Sequence, residues 1–283
     1  GGRNIAFVNG ANAPATADIF VQGTVSTAVT TTGGNITMNA ARDIRLGSTA
    51  IATEGGAVAF QDNVELDAAT TITRNGAGGV ANVTLAGTVN GASDLVVNSS
   101  GITTFTGAVT TSSLTTDAGG STAINAGGTA VTTTGSQTYN DAVTFAAAST
   151  LTSSGGGDLV LAGGGTSTAG DLTLITDGAF TLGGALAATG RIVTLDTNSA
   201  STAFIGADNA TGLGLSDAEI GLITSSLIRV GQLAGPTNNT VNFNGDISAA
   251  GKTLAVRTTG AGGAISGNPA IVLDSFGLQI TAT

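Results

Sequence analysis

A five-residue unit that keeps returning constrains this chain more than any other feature. It is an aromatic residue or leucine, a small turn residue two positions on, and a β-branched residue four positions on. It reads Phe60-Gln-Asp62-Asn-Val64, Leu85-Ala-Gly87-Thr-Val89, Phe105-Thr-Gly107-Ala-Val109, Tyr139-Asn-Asp141-Ala-Val143 and Phe243-Asn-Gly245-Asp-Ile247. The first three begin at 60, 85 and 105, steps of 25 and 20, and the fourth follows after 34. Period-2 alternation into a turn residue and out again is the pattern of a short strand, a tight corner and a second strand. Repetition every 20–25 residues is the spacing of solenoid coils.

A second unit sets a polar residue before apolar-x-apolar: Asn35-Ile-Thr-Met38, Asp43-Ile-Arg-Leu46, Asn82-Val-Thr-Leu85, Asp94-Leu-Val-Val97, Asp158-Leu-Val-Leu161 and Asp171-Leu-Thr-Leu174. Gly-rich stretches lie between, at Gly76–Gly79, Gly155–Gly157, Gly163–Gly165 and Gly260–Gly263. Glycine turns a chain sharply at no steric cost, so these are corners. One coil of such short strands buries almost nothing, so each must cover its neighbour. A narrow interior accounts for the Ala, Val, Ile and Leu, with no Trp and 9 Phe. Pro14, Pro236 and Pro269, the only 3 prolines, stand in turn-like contexts where a missing amide donor is tolerated.

The prediction is an all-β chain, a right-handed parallel β-helix over residues 1–283 as a single array, continuing into a longer chain or filament. An antiparallel sandwich or barrel would show longer strands and many Asn-Gly hairpin turns. Asn9-Gly10, Asn75-Gly76, Asn90-Gly91 and Asn244-Gly245 are too few for that. One segment departs from the pattern. Residues 215–227 read as a short helix on the flank, because Ser216 and Glu219 have capping-box spacing and Ile220 and Ile223 share a face.

Composition closes off most chemistry. There is no His and no Cys, which removes Ser-His-Asp and Cys-His nucleophiles, disulfides and thiolate metal sites. Charged residues are 9% of the chain, and 18 acids against 8 bases give a net charge of −10, unsuited to nucleic acid or an anionic membrane. No apolar run reaches a membrane-spanning length. The acids Asp94, Asp117, Asp141, Asp158, Asp171 and Asp196 are spread singly, as solvated corner or turn-capping residues. Adjacent rungs could still align two of them, for instance Asp158 and Asp171, and grouped carboxylates on one face are what a carbohydrate-active β-helix uses. Gly155-Gly-Gly-Asp158 is nearest to a coil-stacking calcium repeat but is not repeated. Thr71-Ile-Thr73 and Thr104-Phe-Thr106 do not recur at a fixed period, against a flat threonine array. The sequons at Asn35 and Asn82 are those expected by chance in a chain rich in Asn and Thr. No catalytic residue, cofactor or metal site is predicted.

The repeats and the helix together resemble the repeat regions of filamentous haemagglutinin-like exoproteins, which leave the cell by two-partner secretion. The resemblance is carried by Leu215-Ser-Asp-Ala-Glu-Ile-Gly-Leu-Ile-Thr224, Leu227-Ile-Arg-Val-Gly231, Val241-Asn-Phe-Asn-Gly-Asp-Ile247 and Leu254-Ala-Val-Arg-Thr258. It covers about residues 180–283 in motif and the rest in style. The family's amino-terminal secretion domain has Asn-Pro-rich motifs, and Asn268-Pro269-Ala270 does not match them, so the chain looks like shaft. The resemblance implies a secreted, cell-surface structural or adhesive role without catalysis. Its implied partners are neighbouring coils of one giant chain or identical subunits end to end, with host or cell-surface glycans. Two other readings stay open: a carbohydrate-active enzyme or carbohydrate-binding solenoid, and a self-assembling extracellular fibre subunit.

Overall fold

The computed structural model describes residues 4–9, 14–27, 33–75, 82–209, 212–231, 240–248, 251–258, 264–267 and 277–282. The corners expected at Gly76–Gly79 and Gly260–Gly263, together with Pro236 and Asn268-Pro269-Ala270, lie outside them. The chain is a parallel β-helix: all-β, with strands stacked on strands about one coil away in sequence, and one small helix. It divides into two units. One comprises residues 1–126, 130–133 and 139–144, the other residues 127–129, 134–138 and 145–283.

In the first unit each coil presents three faces, the second and third covered by one long strand in the first two coils, Ile19–Ser26 and Asp43–Glu54. The first face stacks Ile5–Val8, Ile36–Asn39, Val58–Phe60, Val83–Leu85, Ile102–Phe105 and Ser121–Ile124, all parallel. Period-2 alternation selects every second residue for the interior. The register therefore lines up Phe7, Met38, Phe60, Leu85, Phe105 and Ile124 in one column. From Met38 onward none of these is more than 1% exposed. The second face stacks Ile44 on Val64, then Val89, Val109 and Val131. The third runs Ile51, Ile72, Val97 and Thr116. Burying each aliphatic or aromatic side chain contributes about 1.5–3 kcal/mol, against about 1 kcal/mol net for a ladder hydrogen bond, so the inward columns set the register.

The five-residue unit is thus the corner between the first and second faces. Phe60, Leu85 and Phe105 stack directly, as do Val64, Val89 and Val109. Two of these three corner residues are glycines where the coils nearly touch: a Cβ on Gly107 would lie 2.5 Å from the Gly87 carbonyl oxygen, and one on Gly87 2.5 Å from the Asn63 nitrogen, while the third, Asp62, accepts from the Ala40 amide. The fourth copy turns a different corner. Tyr139 ends one strand, and Val143 lies in Ala142–Phe145, which pairs with the first-face strand Ser121–Ile124. That change of corner is why the step of 34 departs from the others.

In the second unit, Ser149–Ser153 stacks under Leu172–Thr176, which stacks under Val193–Asp196. The column continues through Ile228 and Leu254 to Leu278. Leu172 to Val193 is a step of 21 residues, yet Val193 to Ile228 is 35. The lengthened coil holds the helix. A four-stranded parallel sheet of Gly214–Ser216, Thr202–Gly206, Thr240–Phe243 and Ala264–Gly267 stands apart from this stack.

The helix spans Asp217–Leu222, not 215–227. Its start matches the sequence reading: Ser216 Oγ accepts from the Glu219 amide, and Glu219 reaches back to the Ser216 amide at 3.0 Å. Its end is earlier. Ile223 is already extended, at φ −85° and ψ 122°, and begins the strand Ile223–Val230. Two effects favour strand there. Ile223 and Thr224 are β-branched, followed by Ser225 and Ser226, a poor helical run. Pairing with Leu186 also buries Ile223 completely.

Candidate functional site

At every corner the backbone leaves its ladder, and amides there need acceptors from elsewhere. The polar residue heading four of the six apolar-x-apolar runs supplies them. Asn35 Oδ1 accepts from the Ala57 amide at 2.8 Å, and Asn35's own amide donates to Asn4 Oδ1 at 2.9 Å. Asn82 takes the Ile102 amide at 3.0 Å, Asp158 the Ala179 amide and Asp171 the Ile192 amide, both at 2.9 Å. In each case the donor is about one coil further along the chain. Asp94 instead accepts from the Ser113 hydroxyl at 2.7 Å, and Asp43 lies 3.3 Å from Arg42. Asp117, Asp62 and Asp177 do similar work for the Ser99, Ala40 and Asn198 amides.

This arrangement decides several of the sequence candidates. Asp158 and Asp171 head strands in different columns, Leu159 over Phe180 and Leu172 over Val193, so stacking does not pair their carboxylates. The sequon residues Asn35 and Asn82 use their side-chain oxygens as coil-to-coil acceptors. Thr71 and Thr104 face outward in columns with Ala50 and Val96, and with Thr84 and Ala123. Among the described residues no three acids converge in an arrangement able to hold a metal ion. Asp171→Ala tests the capping role. Losing one acceptor is expected to cost about 1 kcal/mol, seen as faster hydrogen exchange at Ile192 with little change elsewhere in the unit.

Charge concentrates on the outer second face of the first coils. Arg42 forks onto Asp18, and Arg45 onto Asp67. The Arg42 guanidinium holds the Asp18 carboxyl below its ordinary value. Phe20, 55% exposed, stands in the same column as Arg45 and Glu65. Exposed pairs of this kind contribute little stability.

Three carboxyls are buried instead: Asp196 accepts from the adjoining Thr197 amide at 2.8 Å, and the sequence spacing hid the environments of the other two, Asp141 and Glu219. Asp141 is 4% exposed and receives hydroxyls from two different strands: Thr122 Oγ1 lies 2.8 and 3.0 Å from its two oxygens, and Thr116 Oγ1 is 3.0 Å away. Asn140 Nδ2 donates to the Thr116 carbonyl at 2.7 Å, bracing the same corner. Burial pushes the Asp141 carboxyl above its ordinary value, against the hydroxyls that lower it. The neighbouring Tyr139 phenol is raised too, first by burial and then by Asp141. One signal was visible in the sequence: Thr103 and Thr122 occupy positions that elsewhere in their column hold Val83, Val58 and Ile36.

Glu219 is the second of those two. Beyond its cap it accepts from the Leu182 amide at 2.7 Å and from the Ser216 hydroxyl at 2.9 Å. Burial raises its carboxyl, as does a hydrogen bond with Asp208, while the Leu182 and Ser216 donors lower it. The capping spacing identified the residue but not its reach to Leu182. No protein-family model, curated protein or solved structure matches this chain.

Proposed function

We propose that this chain is a structural or adhesive β-helix segment, the shaft of a secreted bacterial surface protein or filament of the filamentous haemagglutinin-like kind. It works through shape rather than catalysis. The observation that carries the reading is the use made of its polar side chains: carboxylates and amides at strand starts are committed to amides of neighbouring coils. The parallel stack supports it as well, since each coil is completed by the next. Its partners on this reading are adjoining coils of one giant chain, or identical subunits end to end, with cell-surface glycans met along the outer faces. A net charge of −10 disfavours nucleic acid.

Antibody against the chain tests this on intact cells and culture medium of the source. The expected signal is extracellular and belongs to a polypeptide far heavier than 27.0 kDa. A product confined to the cytosol would overturn it. One feature favours the second reading, a carbohydrate-active solenoid: the buried Glu219 carboxyl hydrogen-bonded to Asp208. Cleavage of a polysaccharide panel that disappears in Glu219→Gln would establish that alternative.

A further inference from the structure

We propose that Asp141 makes the corner formed by residues 99–103, 116–122 and 139–142 a pH-dependent joint, closed while its carboxyl carries a proton and loosened once it ionises. The joint is built from successive coils. Thr116 ends the strand Ser113–Thr116, Thr122 lies in Ser121–Ile124, and Asp141 comes from the tighter corner that follows. Both threonines are fully buried, and Asp141 is 4% exposed.

Hydrogen counting shows which charge state the geometry suits. Thr122 Oγ1 stands within hydrogen-bond distance of both Asp141 oxygens, 2.8 Å from Oδ1 and 3.0 Å from Oδ2, but a hydroxyl has one hydrogen to give. With a protonated carboxyl, Thr122 donates to one oxygen and accepts from the other, while Thr116 donates to Oδ1. An ionised carboxylate leaves Thr122 only its own hydrogen to share, and leaves a charge in a dry corner. The Thr116 and Thr122 hydroxyls and the Asp141 amide offset that charge in part, and burial outweighs them. Thr116, Thr122 and Asn140 are neutral, Tyr139 is a buried phenol, and the Asp117 carboxylate repels it. Arg74, buried at the position that pairs with Ser99, donates to the Ser100 hydroxyl and the Gly55 carbonyl.

The sign of the linkage follows. Below the ordinary aspartate value of 3.8, folded and unfolded chains both hold the proton and the joint has its full stability. As pH rises, the unfolded chain ionises first, and stability drains away through the higher folded value. Glu219 is raised in the same sense, so a global melt mixes two groups, and a local measurement is needed.

Hydrogen exchange on the full chain and on Asp141→Asn, corrected for intrinsic rates, supplies it. Asparagine keeps the shape and the paired contact to Thr122 but cannot ionise. Between pH 4 and 8, protection at residues 117–124 and 139–144 is expected to fall in the natural chain, as the linkage sign requires. In Asp141→Asn it is expected to stay level. Protection that follows the same course in both proteins would overturn the proposal. If Asp141→Asn does not fold, the side-chain carboxyl carbon resonance of Asp141 in the natural chain decides. Titration well above 3.8 supports the joint, and titration at or below it refutes it.

Discussion

Gly107→Ala is expected to destabilise the first unit by about 3 kcal/mol, a large cost for one methyl group. The methyl would sit 2.5 Å from the Gly87 oxygen, 2.6 Å from its carbonyl carbon and 2.8 Å from the Thr88 nitrogen. All three are backbone atoms of the coil below, so no side chain can swing aside, and relief requires the coils to part. Parting them opens the ladder on both sides of the corner, at Thr103–Phe105 and at Val109–Thr110. Gly221→Ala is the matching control. Nothing lies within 4 Å of a Cβ there, and the residue is inside the helix Asp217–Leu222. Alanine is expected to stabilise that site by about 0.5–1 kcal/mol. Urea denaturation followed by circular dichroism measures both, and a neutral Gly107→Ala would show that the corner spacing is looser than described.

Phe105→Ala is expected to cost about 3–5 kcal/mol, from lost burial and from the cavity that remains. Phe105 is 1% exposed and sits between Leu85 and Ile124 in the first-face column. A solenoid interior has few ways to collapse onto such a gap, because each rung is pinned by its own ladder. Exposed Phe20→Ala should shift the same denaturation midpoint far less. Equal shifts for the two would argue against the inward column as the source of stability.

The fold was largely legible because its two controlling patterns are local. Alternation says which residues point inward, and the return of one corner motif every 20–25 residues gives the length of a coil. Phe60, Leu85 and Phe105 could be aligned from the sequence alone, and they do stack. Tyr139 could not be placed the same way, since its motif is identical but turns another corner, which only pairing with Ser121–Ile124 reveals. The helix start was legible through Ser216 and Glu219, whose capping contacts lie three residues apart. Its end depended on Leu186, far away in sequence, which draws Ile223 into a strand.

The polar residues were harder for the same reason. Asp158 and Asp171 read as solvated corner or turn-capping residues, yet the amides they accept from, Ala179 and Ile192, lie 21 residues on. The environment of Asp141 depends on Thr116 and Thr122, 25 and 19 residues earlier, meeting over it. No local spacing encodes that meeting. The contact between Glu219 and Leu182, 37 residues apart, is hidden likewise.

The lengthened coil of the second unit bears on how such a chain can grow. Between Val193 and Ile228 it takes in a helix and extra strands, yet the column resumes in register, Leu195 under Val230 and Val230 under Val256. Register is re-established at every rung by whatever inward residue arrives next, so extra sequence at a corner adds only the entropy of closing a longer loop, about 0.6 kcal/mol for each doubling. Corners are therefore where new segments can be acquired, duplicated or lost while the scaffold underneath stays as it was.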